Sequence, residues 1–333
     1  PRVRRQRQMC IRDSVYGGDV EKWVKFANTL RLRLAIRVSY ANPTLAEAQA
    51  KKSMENMFGF IESKAERAEL SHNSLEYHHP LHEIAYNFNS GDCRPGATIV
   101  AYLNGLNDSR ISSYFTAADD GEYHGVRIGI TTSNMSNYQG NKISNLNINR
   151  ASTPVVWMTA AESFFLRAEG ALRGWDMGGT AKSFYEQGVR MSFEENNAAG
   201  VDDYLADHTS TPGAFADNVG SDNYTFSSRV TPAWDDNAGF EAQLERIITQ
   251  KWIANYPDGP EGWSEYRRTG YPEVIPVVRN SSNGTIDTQL QVRRLPYTRD
   301  EKINNASGVA SGISALGGQD TGGTKLWWDK KSR

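Results

Sequence analysis

The chain has 333 residues, with 37 Lys and Arg against 39 Asp and Glu, and a hydrophobic fraction of 38%. Such a length allows one large domain or two smaller ones, and the interspersed, near-neutral charge removes the case for a general electrostatic partner such as nucleic acid or an anionic membrane. No apolar run approaches the roughly 20 residues of a membrane-spanning helix, and Cys10 and Cys93 are too few for a disulfide framework.

Residues 1–14 include Arg2, Arg4, Arg5, Arg7 and Arg12 with no apolar period, and they read as a non-native or disordered start. No apolar stretch precedes Cys10 as a lipoprotein signal requires, so it is not read as a lipid anchor. From Val20 onward Trp23, Phe26, Leu30, Leu34 and Val38 keep helical spacing, and Leu32 and Ile36 widen the stripe, which predicts a helix buried on more than one side. Arg31, Arg33 and Arg37 on that helix read as ion-pairing partners or solvent-facing ends. Asn42-Pro43 ends it, and residues 45–60 read as the second helix of a pair.

Residues 71–153 are rich in Asn, Ser, Asp, Gly and Tyr, and a polar stretch of that length is expected to be irregular and to hold binding residues. Within it Tyr77, His78, His79, Tyr86, Asn87, Phe88 and Arg94 combine flat rings with hydroxyl-pairing groups. That is the pairing a sugar ring needs, since its C–H face stacks on an aromatic while its hydroxyls seek amides and guanidinium groups. Tyr138 and Trp175 are outer candidates, and Tyr123, Tyr224 and Trp234 also fall in polar loops. His78, His79 and His82 beside Glu83 invite a metal reading, but Pro80 interrupts any helix joining them and no distant third ligand stands out. Val126, Ile128 and Ile130 alternate as a short strand would.

A second helix pair is expected from residues 155–172, where Val156, Ala160, Phe164 and Ala168 recur at helical spacing, with Trp157 assigned to packing and Gly174 as the C-terminal cap. Thr180 then caps a helix carrying Ala181, Phe184, Tyr185, Gly188 and Val189, giving a unit near the roughly 34-residue tetratricopeptide period. After a second polar segment, 196–232, Leu244, Ile247, Ile248 and Trp252 mark a further amphipathic helix with Asp235, Asp236 and Asn237 ahead of it as caps. Beyond it the helical period drops, so Trp263, Tyr266, Arg267, Arg268, Tyr271 and Pro272 read as a loop. The Gly- and Ser-rich tail, 308–323, closes on residues 326–329 (LWWD) as a docking anchor.

The run IITQKWIA at 247–254, followed by Trp263 and by RRTGYP at 267–272, resembles the late framework of the SusD/RagB family. Residues 23–37, 106–129, 293–297 (RRLPY), 317–320 (GGQD) and 326–329 resemble further stretches in the same family order. The resemblance implies a mainly α fold of tetratricopeptide-like helix pairs with long irregular loops and a few short strands. Residues 15–333 would then be the C-terminal portion of a single SusD-like domain. It also implies a non-catalytic, surface-exposed lipoprotein of the outer membrane that binds oligosaccharide or polysaccharide beside a SusC-like TonB-dependent transporter, with its anchor outside this chain and no cofactor. Trp263, Arg267 and Arg268 then belong to the shared framework. The alternatives are a helical-repeat adaptor for a protein or peptide and, more weakly, a glycoside hydrolase. Hydrolysis needs two carboxyls roughly 5–10 Å apart, whereas Asp119-Asp120, Asp202-Asp203 and Asp235-Asp236 read as turns and caps.

Overall fold

A computed structural model of the protein describes residues 15–71, 79–87, 93–131, 136–149 and 152–331. Helix α1 (Val20–Arg37) starts where the Asp19 carboxylate accepts the Lys22 N–H, and α2 (Pro43–Met54) starts where Asn42 accepts the Leu45 N–H with Pro43 in the first turn. The two pack as a pair. Leu32 and Ile36 are fully buried, but Leu34 is 57% exposed and departs from the predicted stripe. Helix α2 stops at Met54, and Phe60 reaches the core from the chain beyond it.

The polar segment 71–153 is more structured than its composition implies. Helices α3 (Ala97–Gly105) and α4 (Ile111–Tyr114) deliver Val100, Tyr102, Leu103, Ile111 and Tyr114 to the main core, and β2 (Phe115–Thr116) pairs antiparallel with β3 (Asn145–Leu146). The expected strand around Val126 is a single bridge to Gly96. Gly129, at φ +81°, turns the chain where the alternation was read, and Ile128 is exposed. Residues 155–158 form a strand rather than the start of a helix: β1 (Ala68–Leu70) pairs antiparallel with β4 (Val155–Met158). The β-branched pair Val155-Val156 favours the pleat, and Trp157 on that strand is 41% exposed instead of packed.

Thr159 accepts the Glu162 N–H and opens α5 (Ala160–Leu172). Gly174, at φ +83°, follows its end, and Thr180 with Ser183 forms a capping box at the start of α6 (Ala181–Glu195). These two helices pack against each other, and Gly188 lies against the ring of Phe165. After α7 (Val201–Leu205) and the ladder of β5 (Ala214–Phe215) with β6 (Tyr224–Thr225), α8 (Phe240–Ala254) buries Leu244, Ile247 and Ile248. Its N-cap is Gly239, with no side-chain bond. Asp235 instead accepts the Asn237 N–H within the preceding turn.

The run read as a loop is a helix, α9 (Gly259–Thr269). Asp258 accepts the Glu261 N–H at its start, Pro260 sits in its first turn, and Gly270 closes it at φ +88°. Its inward face carries Glu261, Glu265 and Arg268 in place of aliphatic residues, so no hydrophobic period announces it. Arg268 donates to Glu265 and Glu169 through both ends of its guanidinium at 2.6–3.0 Å, Lys251 lies 3.1 Å from Glu261, and Arg37 lies 2.6 Å from Glu261. Arg33 pairs with Glu162. Charges from α1, α5, α8 and α9 thus close one buried network, in the ion-pairing role expected of Arg33 and Arg37. A short helix, α10 (Arg299–Asn304), precedes the Gly- and Ser-rich tail, which is itself helical in α11 (Ala306–Leu316), capped by Asn305. The anchor docks through Asp329, paired with Arg293 at 2.8 Å, and through Trp328, whose ring lies 4.8 Å from the Arg267 guanidinium and 5.4 Å from that of Arg37. Trp327 is left exposed.

Candidate functional site

His79 opens a helical turn, Pro80–His82, by accepting the Leu81 N–H on Nδ1, and the turn continues as a π-helical turn, Glu83–Asn87. Ala85 is the buried face of that turn, held against Leu146 and Ile148. This places Tyr86 at the surface, 39% exposed, beside the His82 ring at 4.8 Å, while its hydroxyl donates to the Leu146 carbonyl. Asn87 is exposed and donates to Glu83 at 2.6 Å, and Arg94 is half-buried nearby. Burial raises the Tyr86 pKa while Arg94 pulls it down, so the two share one neighbourhood. Tyr77, His78 and Phe88 lie outside the described residues.

Three predicted residues also serve the fold. His79 is 4% exposed and acts as a helix cap. Tyr138 is 6% exposed and donates to Asp217 at 2.5 Å, tying two loops together. Trp175 packs on the main core after α5, against Gly170. Trp234 is likewise buried, with its indole N–H donating to Asp236. Aromatic rings with polar tips in a polar sequence can still turn inward, the tip satisfied on another loop for Tyr138 and within the same turn for His79 and Trp234.

The fold builds a cleft of about 340 Å³ beside this segment. His79 lines it together with Lys64 and Arg67 before β1, Tyr114 at the end of α4, Asn147 after β3, Thr153 ahead of β4, Glu195 and Asn196 at the end of α6, and Tyr256 after α8. Asn196 donates to the Tyr114 hydroxyl at 3.2 Å and accepts from Ser113 at 2.8 Å, while Lys64 donates to the Glu194 carbonyl and to Asn197 at 3.0 Å. Amide, hydroxyl and cationic groups therefore converge on one recess.

Tyr256 is the telling residue. Its ring lies tilted 4.7 Å from that of Tyr114 and edge-on 5.1 Å from that of Phe115, and its buried hydroxyl has no hydrogen-bonding partner among the described residues. A buried polar group left unpaired is costly. Glu195 is the second unusual group. It accepts the Ala160 N–H at 2.9 Å, and burial pushes its carboxyl up to about 7 against the pull of that N–H and of Arg67. Neither residue carries a sequence signal beyond Tyr256-Pro257 marking a turn.

The sequence profile described as SusD-like, SusD and RagB outer membrane lipoprotein, matches residues 2–329. The chain belongs to that family. Its fold is accordingly the SusD-like one, mainly helical with tetratricopeptide-like pairs, long irregular loops and short strands. A chitin-binding SusD homologue from Flavobacterium johnsoniae is 42% identical at a TM-score of 0.90, over 95% of this chain and 65% of that one. A SusD homologue from Bacteroides uniformis is 43% identical at 0.88, over 96% and 67%. A SusD-like protein from Bacteroides thetaiotaomicron is 41% identical at 0.89, over 98% and 68%. The chain thus spans about two thirds of the length of these SusD-like structures. No curated protein sequence matches the chain.

Proposed function

We propose that this chain is the glycan-binding, non-catalytic part of a surface-exposed outer-membrane lipoprotein that works beside a SusC-like TonB-dependent transporter in oligosaccharide or polysaccharide uptake. Family membership supports the setting, and one observation carries the placement of the site: the unpaired Tyr256 hydroxyl in a cleft lined by Asn147, Asn196 and Thr153. Those groups suit an uncharged, hydroxyl-rich ligand, and Tyr86 with Asn87 and Arg94 extends the surface on which such a ligand would lie. Because a similar protein is described as chitin-binding, chitin oligosaccharides are the first ligands to try.

Affinity gels loaded with chitin, starch, xylan and mannan derivatives test the reading, run beside an assay for released reducing sugar. Retention without release is expected, and either release of sugar or no retention by any polysaccharide would overturn it. Tyr256→Phe should weaken binding several-fold while leaving the melting temperature equal or higher, since it removes an unpaired buried hydroxyl worth roughly 1–3 kcal/mol. Unchanged affinity in that variant would move the site out of the cleft.

A further inference from the structure

A groove of about 900 Å³ shares no lining residue with the cleft. It runs between β6, the stretch Ser227 to Arg229, the turn after α9, and the loop carrying Asp287 and Gln289. A second recess of about 580 Å³, reaching Tyr40 and Lys330, shares Gly270 and Tyr271 with the groove, so the two adjoin at one tyrosine and together make a two-part trough. Each is within the roughly 300–1,000 Å³ that takes a small ligand. Together they suit a chain rather than a single ring.

The walls of the trough are fixed by the protein's own bonds. Glu273 accepts from the Tyr224 hydroxyl at 2.7 Å, from the Ser227 hydroxyl at 2.8 Å, and from the Ser227 and Ser228 N–H groups at 2.9 and 2.8 Å, which holds one wall to the floor. The Tyr266 hydroxyl donates to the Gln289 carbonyl at 2.8 Å and holds the other. Tyr271 is held by its hydroxyl on Glu241 at 2.9 Å, with the Lys331 ammonium 4.4 Å from the ring centre. A recess set in this way costs little ordering when a ligand arrives. Its rim carries the Thr225 hydroxyl, the Gln289 amide, the Arg229 guanidinium and the Glu245 carboxyl, donors and acceptors of both signs with no single charge prevailing.

We propose that the trough across Tyr271 is a second saccharide site, taking an extended chain of several uncharged sugar units independently of the cleft. The inference rests on the reading that this protein holds saccharide, and it adds a second point of attachment to one polymer. Two points on one polymer raise its apparent affinity without any new contact. Long chains should therefore be held more tightly than short ones.

Titration calorimetry of the full chain with a chitin disaccharide, a chitin hexasaccharide and maltohexaose tests this. Thr225→Trp and Gln289→Trp fill the trough from exposed positions, and Glu245→Gln changes its chemistry without changing its size. Two hexasaccharides per chain are expected for the unmodified protein and one for the tryptophan variants, with affinity for the polymer falling roughly tenfold or more. Tyr256→Phe should weaken the other site alone. Variants that melt like the parent and titrate like it with all three sugars would overturn the trough while leaving the cleft standing. Absence of binding by every sugar to the unmodified protein would overturn both.

Discussion

Glu195 shows how a single carboxyl links the fold to the cleft. Its folded pKa of about 7 stands above the ordinary value of 4.5, because burial opposes the charge more strongly than the Ala160 N–H and Arg67 favour it. The native state therefore holds the proton more tightly than the unfolded chain does. The resulting stability is fully present below about pH 4.5 and is lost as pH rises through about 7, a change on the order of 3 kcal/mol. Glu195→Gln keeps an acceptor for the Ala160 N–H and cannot ionise. Urea denaturation between pH 5 and 8 should show the parent losing stability relative to this variant, and parallel curves would mean that Glu195 does not titrate in that range. Residue roles of this kind were the least legible in the sequence. His79, Tyr138 and Trp175 have polar neighbours along the chain, and the contact that buries Tyr138, its bond to Asp217, comes from a segment remote in sequence.

Among the elements, α5 and α6 were readable because apolar spacing and both caps agree, and their packing depends on one glycine. A Cβ added at Gly188 would stand 2.8 Å from Phe165 Cε1, with further ring atoms at 2.9 and 3.0 Å. Gly188→Ala should cost about 1–3 kcal/mol through overpacking, read as a lowered urea midpoint. Gly174→Ala meets no atom within 4 Å but holds φ +83°, and a cost of about 1 kcal/mol, from the backbone alone, is expected there. Equal effects at both positions would contradict this distinction. Helix α9 escaped the reading for the opposite reason. Its buried positions are Glu261, Glu265 and Arg268, which a search for apolar periodicity counts as solvent-facing.

At the scale of the molecule, the same charged residues join four helices. Burial alone would raise the Glu265 carboxyl, but Arg268, Lys251 and Arg37 outweigh it and hold it well below the usual range. Arg268 is fully buried with two carboxylates on its guanidinium. Arg268→Ala would leave Glu169 and Glu265 short of their closest cation, and a loss of about 3–5 kcal/mol is expected. Arg31→Ala, which removes only an exposed bond to Gln49, should change stability by under about 1 kcal/mol. Denaturant midpoints for the two variants check this, and a small effect at Arg268 would show that the helices hold together without the network.

Amphipathic spacing, helix caps and the runs at 247–254, 267–272 and 326–329 were enough to determine the helical class, the helix pairs at α1/α2 and α5/α6, and the family. These are local properties, written within a few turns of the chain. The strand at Val155–Met158, paired with Ala68–Leu70, and the inward turn of Tyr138 were decided by contacts between remote segments. The cleft is the extreme case. Tyr256, Glu195, Asn147 and Arg67 come from four separate stretches, and only packing brings them to line a shared recess.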